Sequence, residues 1–201
     1  LLMAVSFTDD VFSLPIGWRL LMHGVAAAWF AAALLFDAYG WMIAATAVVA
    51  IIWMTNLYNF MDGSNGLAGG MTLFGFGFYG FSAWLAGNEL FAMLNVCVAA
   101  AAIAFLLFNF HHARIFMGDV GSLPLGFLAA ASGIVGYLEA LWPAWFPILI
   151  FSPFIADASV TLIKRLLRGD KIWQAHREHY YQRLILLGLS HRRTALLEYA
   201  L

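Results

Sequence analysis

An all-α, polytopic transmembrane bundle is the fold this sequence predicts, on three observations. Of its 201 residues, 64% are hydrophobic and only 10% charged, with a mean hydropathy of +0.85, whereas about a quarter of a soluble domain is charged. The apolar residues fall into runs close to the roughly 20 residues that a bilayer requires. The polar breaks between those runs place all ten lysines and arginines on one side of the membrane. The net charge of −1 says nothing about partners; the positions of the charges do.

Taken in order, Leu1 to Phe7 reads as the tail of a span whose start is missing, and it leads into the pair Asp9 and Asp10. Complete apolar runs follow at Leu20 to Phe36, Trp41 to Thr55, Leu67 to Ala86, Leu90 to Phe108, Ser122 to Leu138 and Trp145 to Leu166, and the pattern is cut short at Leu201. The expectation is therefore six complete spans plus a partial one at each end. These would form one integral-membrane domain over residues 1–201, a fragment incomplete at both ends. Phe74 to Phe78 alternates phenylalanine with glycine as a strand would, but an open strand in lipid leaves its backbone groups unpaired, so helix is expected. Glycines 66, 70, 75, 77 and 80 and the alanines 99–102 suit close helix approach. Cys97 stands alone in an apolar run, which leaves no disulfide framework and favours a small packed residue.

With alternating spans, one side receives Asp9 to Arg19, Asn56 to Gly66, Asn109 to Gly121 and the stretch from Leu167 to Arg193. The opposite loops hold Asp37, Glu89 and Glu139 and no cation. The positive-inside rule makes the first side cytoplasmic.

Every polar cluster emerges on that face. Asp9 and Asp10 are adjacent carboxylates, which repel unless something positive sits nearby; a divalent cation, a neighbouring Lys or Arg, or a solvated helix end would each account for them. Asn56, Asn59 and Asp62 recur every third residue, so a helix would present them on one face, and Gly63 and Gly66 supply the freedom to turn the chain there. Such a cluster suits a cation or a phosphate, though Asn, Asp and Gly are also ordinary turn residues. Asp119, between Gly118 and Gly121 and just before a span, could complement a helix N-terminus or bind a metal. His111 and His112, adjacent on a helix, would point about 100° apart and are expected to be interfacial rather than chelating. His176, His179 and Arg183 recur at helical spacing and are expected to form a basic stripe suited to phosphate oxygens; a basic amphipathic segment on anionic lipid is the alternative. Asp157 lies inside the last complete span, roughly 13 Å deep. A carboxylate there either serves a function or pairs with a polar group on a neighbouring helix.

Carboxylates, amides and a basic segment on one face fit a Mg²⁺ site that handles a phosphorylated substrate, because Mg²⁺ takes one or two carboxylates plus substrate phosphates. No Walker-type glycine loop, dinucleotide fingerprint, zinc-protease motif or serine nucleophile elbow is present. A transporter using Asp157 as an ion relay would be expected to distribute polar residues through several spans, often with an inverted repeat. The charges gather at one face instead, and no nucleic-acid-binding motif accompanies the basic segment.

Four stretches, Phe7 to Asp10, Asn56 to Ala68, Phe116 to Leu123 and His176 to Leu184, together resemble the polyprenyl-phosphate N-acetylhexosamine-1-phosphate transferases of glycosyltransferase family 4. The resemblance covers essentially the whole chain. It implies a multi-pass enzyme of the bacterial inner membrane, with its site on the cytoplasmic face. That enzyme moves an N-acetylhexosamine-1-phosphate from a UDP-sugar to undecaprenyl phosphate and releases UMP, with Mg²⁺, or Mn²⁺ in its place, as cofactor. By position it implies Asp9 as the base acting on the lipid phosphate and Asp10 as its metal-side neighbour. Asp119 is implied as a metal ligand, with Asn59 and Asp62 lining the metal and diphosphate site. Asn109 and Phe116 would hold the uracil by amide and ring, Asn65 would contact the nucleotide, and His176 and His179, flanked by Arg177 and Arg183, would hold the diphosphate. The muramyl-pentapeptide branch carries three consecutive histidines and a lysine shortly after the aspartate pair, whereas this chain has His176 and His179 with two residues between them and Ser13, Leu14 and Pro15 after its pair. It is more similar to the branch that initiates O-antigen and other surface polysaccharides. Asn65 stands where many members have a second aspartate. Membrane lipid and a homodimer are further expected partners, and the identity of the UDP-sugar is left open.

Overall fold

A computed structural model describes residues 1–12, 14–110, 112–171 and 176–200. Among the described residues the secondary structure is helical without strands: α1 (Leu2–Phe12), α2 (Ile16–Leu34), α3 (Phe36–Met61), α4 (Leu67–Leu85), α5 (Glu89–Asn109), α6 (Gly118–Leu138), α7 (Trp145–Ile150), α8 (Ser152–Leu167), α9 (Tyr180–Leu186) and α10 (His191–Ala200). By length and composition α3, α5 and α6 can each cross a membrane. The 19-residue α2 and α4 occupy the places of two more expected spans. The phenylalanine–glycine alternation lies in mid-α4 and is helical.

Two boundaries differ from the expectation. The second run, set off by a kink at non-helical Gly40 (φ 80°, ψ 171°) just before the expected start at Trp41, continues past Thr55 to Met61. Asn56 stays helical because its amide donates to the Ile52 carbonyl one turn back, at 2.7 Å, which satisfies the side chain inside the helix. The sixth run is not one helix but two, broken at Phe151. Pro153 lies in the first turn of α8, where the missing N–H of proline is not needed.

Small residues bring the helices together. A Cβ on Gly126 of α6 would lie 2.6 Å from the Met54 carbonyl and 2.8 Å from the Thr55 Cα, so the α3 and α6 backbones are in direct contact there. With no hydrophobic drive between helices in lipid, such packing and closed polar pairs hold the bundle. Buried Tyr58 shares a 2.6 Å hydrogen bond with Thr72, and Tyr79 stacks on Trp142 at 4.8 Å while donating to the Ala129 carbonyl. Large side chains such as Trp29 and Leu107 point outward, as lipid-facing residues do. Cys97, expected to pack inside, is exposed on α5; a small apolar thiol is equally at home against lipid.

The contacts define two ends. At one, Asn88 donates to Glu139 at 3.0 Å and ties the α4–α5 connection to the α6–α7 connection. At the other, the α1–α2, α3–α4, α5–α6 and α8–α9 junctions meet, and these carry the cations.

Candidate active site

Four helices deliver a polar cluster to that second end. Asp9 near the end of α1 and Asp119 in the first turn of α6 are joined by Arg19 from the first turns of α2. One guanidinium nitrogen lies 3.1 Å from Asp9 and another 2.6 Å from Asp119. Asp9 also accepts the Leu14 amide at 2.7 Å, which closes the α1–α2 turn. Asn59, in the last turn of α3, donates its amide nitrogen to Asp119 at 2.6 Å and to Ser122 at 3.2 Å. Asn59 thereby orients the Asp119 carboxylate. Ser122 is anchored in turn to the Gly118 carbonyl.

Asp62 caps the end of α3. Burial pushes its carboxyl up to about 7, and the Asp119 charge adds to this while the Gly118 amide opposes it. Such a value lets a carboxylate change protonation state near neutrality.

Asp62 and Asp119 with Asn59 form a hard-oxygen donor set of two carboxylates and an amide, which fits Mg²⁺ completed by phosphate oxygens. Among the described residues no three His, Cys, Asp or Glu side chains gather closely enough to hold a metal by themselves. The Arg19 guanidinium is shared between Asp9 and Asp119, and burial, with the Asp119 charge, raises the Asp62 carboxyl.

The histidine segment docks on the same end of α3. His179, 2% exposed, stacks on Phe60 and on Tyr181, with ring centroids 6.0 Å away in each case, and its Nδ1 lies 3.1 Å from Asp157. The Tyr181 hydroxyl donates to the Phe60 carbonyl at 3.0 Å, beneath Gly63, where any Cβ would overlap it. The expected helical stripe is not formed. α9 starts only at Tyr180, His179 is its N-cap, and His176 lies outside it. The two imidazoles meet across irregular backbone instead, with ring centroids 4.8 Å apart. Burial holds His176 below its ordinary value of 6.5, with the neighbouring His179 and Arg165 adding to the effect. Glu178 pairs with Arg165 and Arg168 and lies 3.8 Å from Arg183. Those hydrogen bonds and charges keep its carboxyl below the usual range. Arg177 is exposed, and Arg183 lies over the Tyr180 ring.

The two residues expected to hold the uracil divide. Phe116 is open, 76% exposed. Asn109 is buried, and both ends of its amide are engaged: the oxygen accepts the Gly66 amide at 2.7 Å and the nitrogen donates to the Ile115 carbonyl at 2.9 Å. In place of an open ligand contact, Asn109 staples two loops. Asn65 lines a cavity of about 570 Å³ with Phe110, His112, His191, Arg192 and Arg193 among its neighbours. The Asp10 side chain and His111 lie outside the described residues.

Arg19 is the participant that the sequence did not single out. It is the only Lys or Arg before Arg114, and a lone early cation beside an aspartate pair was the available signal. Phe60 and Tyr181, the aromatic faces that hold His179, had no such signal.

The fold and the cluster define an all-helical integral-membrane protein whose polar chemistry is collected at one end of the bundle. The chain belongs to glycosyl transferase family 4, whose family model matches residues 1–137. It is 36% identical over 162 residues to a probable undecaprenyl-phosphate N-acetylglucosaminyl 1-phosphate transferase of Bacillus subtilis, covering 80% of this chain and 45% of that protein. It is 31% identical over 149 residues to a phospho-N-acetylmuramoyl-pentapeptide-transferase of Halalkalibacterium halodurans, covering 73% and 44%. A decaprenyl-phosphate N-acetylglucosaminephosphotransferase of Mycobacterium leprae is 31% identical over 167 residues, covering 73% and 42%. The chain thus spans somewhat under half the length of these curated relatives.

Proposed function

We propose that the protein carrying this chain transfers an N-acetylhexosamine-1-phosphate from a UDP-sugar to undecaprenyl phosphate at the cytoplasmic face of the bacterial inner membrane, and so initiates a surface polysaccharide of the O-antigen type. An oxygen of the lipid phosphate attacks the sugar-bearing phosphorus. The bond from that phosphorus to its bridging oxygen breaks, and UMP leaves with the bridging oxygen. A lipid-linked diphosphate sugar remains.

The observation that carries this reading is the convergence on Asp119, which Arg19 joins to Asp9, Asn59 hydrogen-bonds and whose charge reaches Asp62, with the histidine segment docked on the same helix end. Joining two phosphorylated reactants is mainly a matter of holding like charges in line. Asp62 and Asp119, oriented by Asn59, would hold Mg²⁺, which when bound supplies positive charge to the diphosphate and the departing phosphate. Arg19 keeps Asp9 and Asp119 at fixed separation, leaving Asp9 placed to accept a proton from the lipid phosphate, with Asp10 beside it. His176, His179, Arg177 and Arg183 give the diphosphate its cationic and hydrogen-bonding rim, exposed Phe116 offers a ring to the uracil, and Asn65 offers its amide to the nucleotide. The cytoplasmic placement rests on the one-sided cations. The surface-polysaccharide branch rests on the separation of His176 and His179 and on the longer match to an N-acetylglucosaminyl relative, 162 residues at 36% identity, against 149 at 31% and 102 at 38% to muramoyl-pentapeptide ones.

The test offers the complete gene product, in vesicles containing undecaprenyl phosphate, a panel of UDP-N-acetylhexosamines and UDP-N-acetylmuramoyl-pentapeptide, and identifies the lipid product by mass. A lipid diphosphate N-acetylhexosamine is expected. Exclusive use of the muramoyl donor would move the protein to the other branch, and no lipid product with any donor would refute the transfer.

A further inference from the structure

Asp157 has no task in the transfer just described, yet it is a carboxylate only 5% exposed on α8, a placement that needs compensation. Among the described residues, its hydrogen-bond partners belong to the histidine segment or its own helix, and its charge also reaches Glu198 of α10. One oxygen accepts the Tyr180 amide at 2.9 Å and the Thr161 hydroxyl at 3.2 Å and faces His179 Nδ1 at 3.1 Å; the other accepts the Tyr181 amide at 2.9 Å. Capping α9 would account for the two amides. It does not account for the imidazole, because an N-cap residue normally supplies the capping oxygen itself. Here the N-cap is His179, and the carboxylate comes from 22 residues away to meet both the helix end and the ring.

The consequence for the ring is specific. An ionised carboxylate can only accept, so Nδ1 carries a proton and Nε2 is the nitrogen left for another partner. Phe60 and Tyr181 both stack on the ring, and the His176 ring lies 4.8 Å from it. Phe60 directly follows Asn59, and the Tyr181 hydroxyl is bonded to the Phe60 carbonyl. The imidazole is therefore fixed in rotation and tautomer against the helix end that carries Asn59 and Asp62. We infer that Asp157 is a positioning residue. It locks His179 with Nδ1 protonated and Nε2 available to a phosphate oxygen of the substrate, as paired carboxylates orient working histidines elsewhere. The substrate half of this inference rests on the proposed transfer; the tautomer half does not.

Two measurements on the complete gene product separate them. In vesicles, Asp157→Asn should lower kcat for UMP release by about 10- to 100-fold while changing KM for the UDP-sugar by less than about threefold. In a double-mutant cycle with His179→Gln, adding Asp157→Asn should cost less than about a further twofold, because the residue acts through the ring. Multiplied losses in the double variant, or wild-type kcat in Asp157→Asn, would overturn the inference. If Asp157→Asn is not recovered folded, Asp157→Glu, which keeps the charge but displaces it, must show the same kcat-selective loss, and wild-type kcat there overturns it equally. Separately, ¹⁵N NMR of histidine-labelled protein, with His179 assigned by its disappearance in His179→Gln, needs no turnover. The wild type should show the Nδ1-protonated ring and Asp157→Asn a shift toward the other tautomer; an unchanged ring signal would refute the lock. A lock in a protein that releases no UMP would overturn the substrate half alone.

Discussion

Replacing Asp62 by asparagine should make the metal-free protein more stable at pH 8 while abolishing turnover. Burial and the Asp119 charge lift the Asp62 carboxyl from 3.8 to about 7, so ionising it in the fold costs about 4 kcal/mol more than in the unfolded chain. Its folded pKa lies above its unfolded one. The folded state therefore holds the proton more tightly, and stability falls as pH rises from about 4 to about 7. Above that window the penalty is fully present. Asp62 retains some solvent exposure, which screens the penalty to about 2 kcal/mol, or about 4–8 °C in Tm for a domain of this size. Thermal unfolding in detergent with a chelator measures it directly. Asp62→Asn should melt above wild type at pH 8, and the gap should close toward pH 4. Added Mg²⁺ should raise the wild-type Tm at pH 8 and leave the variant unmoved. An Asp62→Asn protein no more stable than wild type at pH 8, or a gap that widens as pH falls, would refute this placement of Asp62.

Two further variants probe the rest of the cluster. Arg19→Ala leaves Asp9 and Asp119 facing one another without their shared cation. kcat/KM for UMP release should drop about 100-fold, as removal of one member of a hydrogen-bonded charge set does, and Arg19→Lys should recover only part because a point charge cannot bridge both carboxylates as a guanidinium does; full activity in Arg19→Ala would exclude it from the site. Asn109→Ala strands the buried Gly66 amide, which should cost about 1–3 kcal/mol of stability, seen as a lower Tm with no change in the preference for uridine over cytidine donors. Lost base preference at an unchanged Tm would instead put Asn109 against the uracil.

How much of this was legible follows from where each signal sits along the chain. Lipid demands long apolar runs and internally paired backbone, so the helices between Ile16 and Leu138 could be read almost directly from composition. The spacing of Asn59 and Asp62 placed both at one helix end, and the one-sided cations gathered the remaining junctions with them. The break at Phe151 was harder. Pro147 and Pro153 mark it in the sequence, but a continuous apolar run masks the interruption. The histidine stripe was misread because spacing alone does not show where a helix begins. Gln182, three residues after His179, was the overlooked clue, since its side chain reaches back to the His179 amide at 3.3 Å as a capping box does. Arg19 with Asp119, 100 residues apart, and Asn109 with Gly66, 43 apart, are pairings that only the assembled bundle creates.

The proposal that Asp62 and Asp119 converge on one magnesium diphosphate is most directly tested by UMP release from UDP-N-acetylglucosamine by the complete gene product, with undecaprenyl phosphate present or omitted and Asp119 intact or changed to alanine. Release should require both the lipid and added Mg²⁺, match the lipid-linked product one for one, and fall to background in Asp119→Ala. Undiminished Mg²⁺-dependent release in Asp119→Ala would contradict the site assigned here.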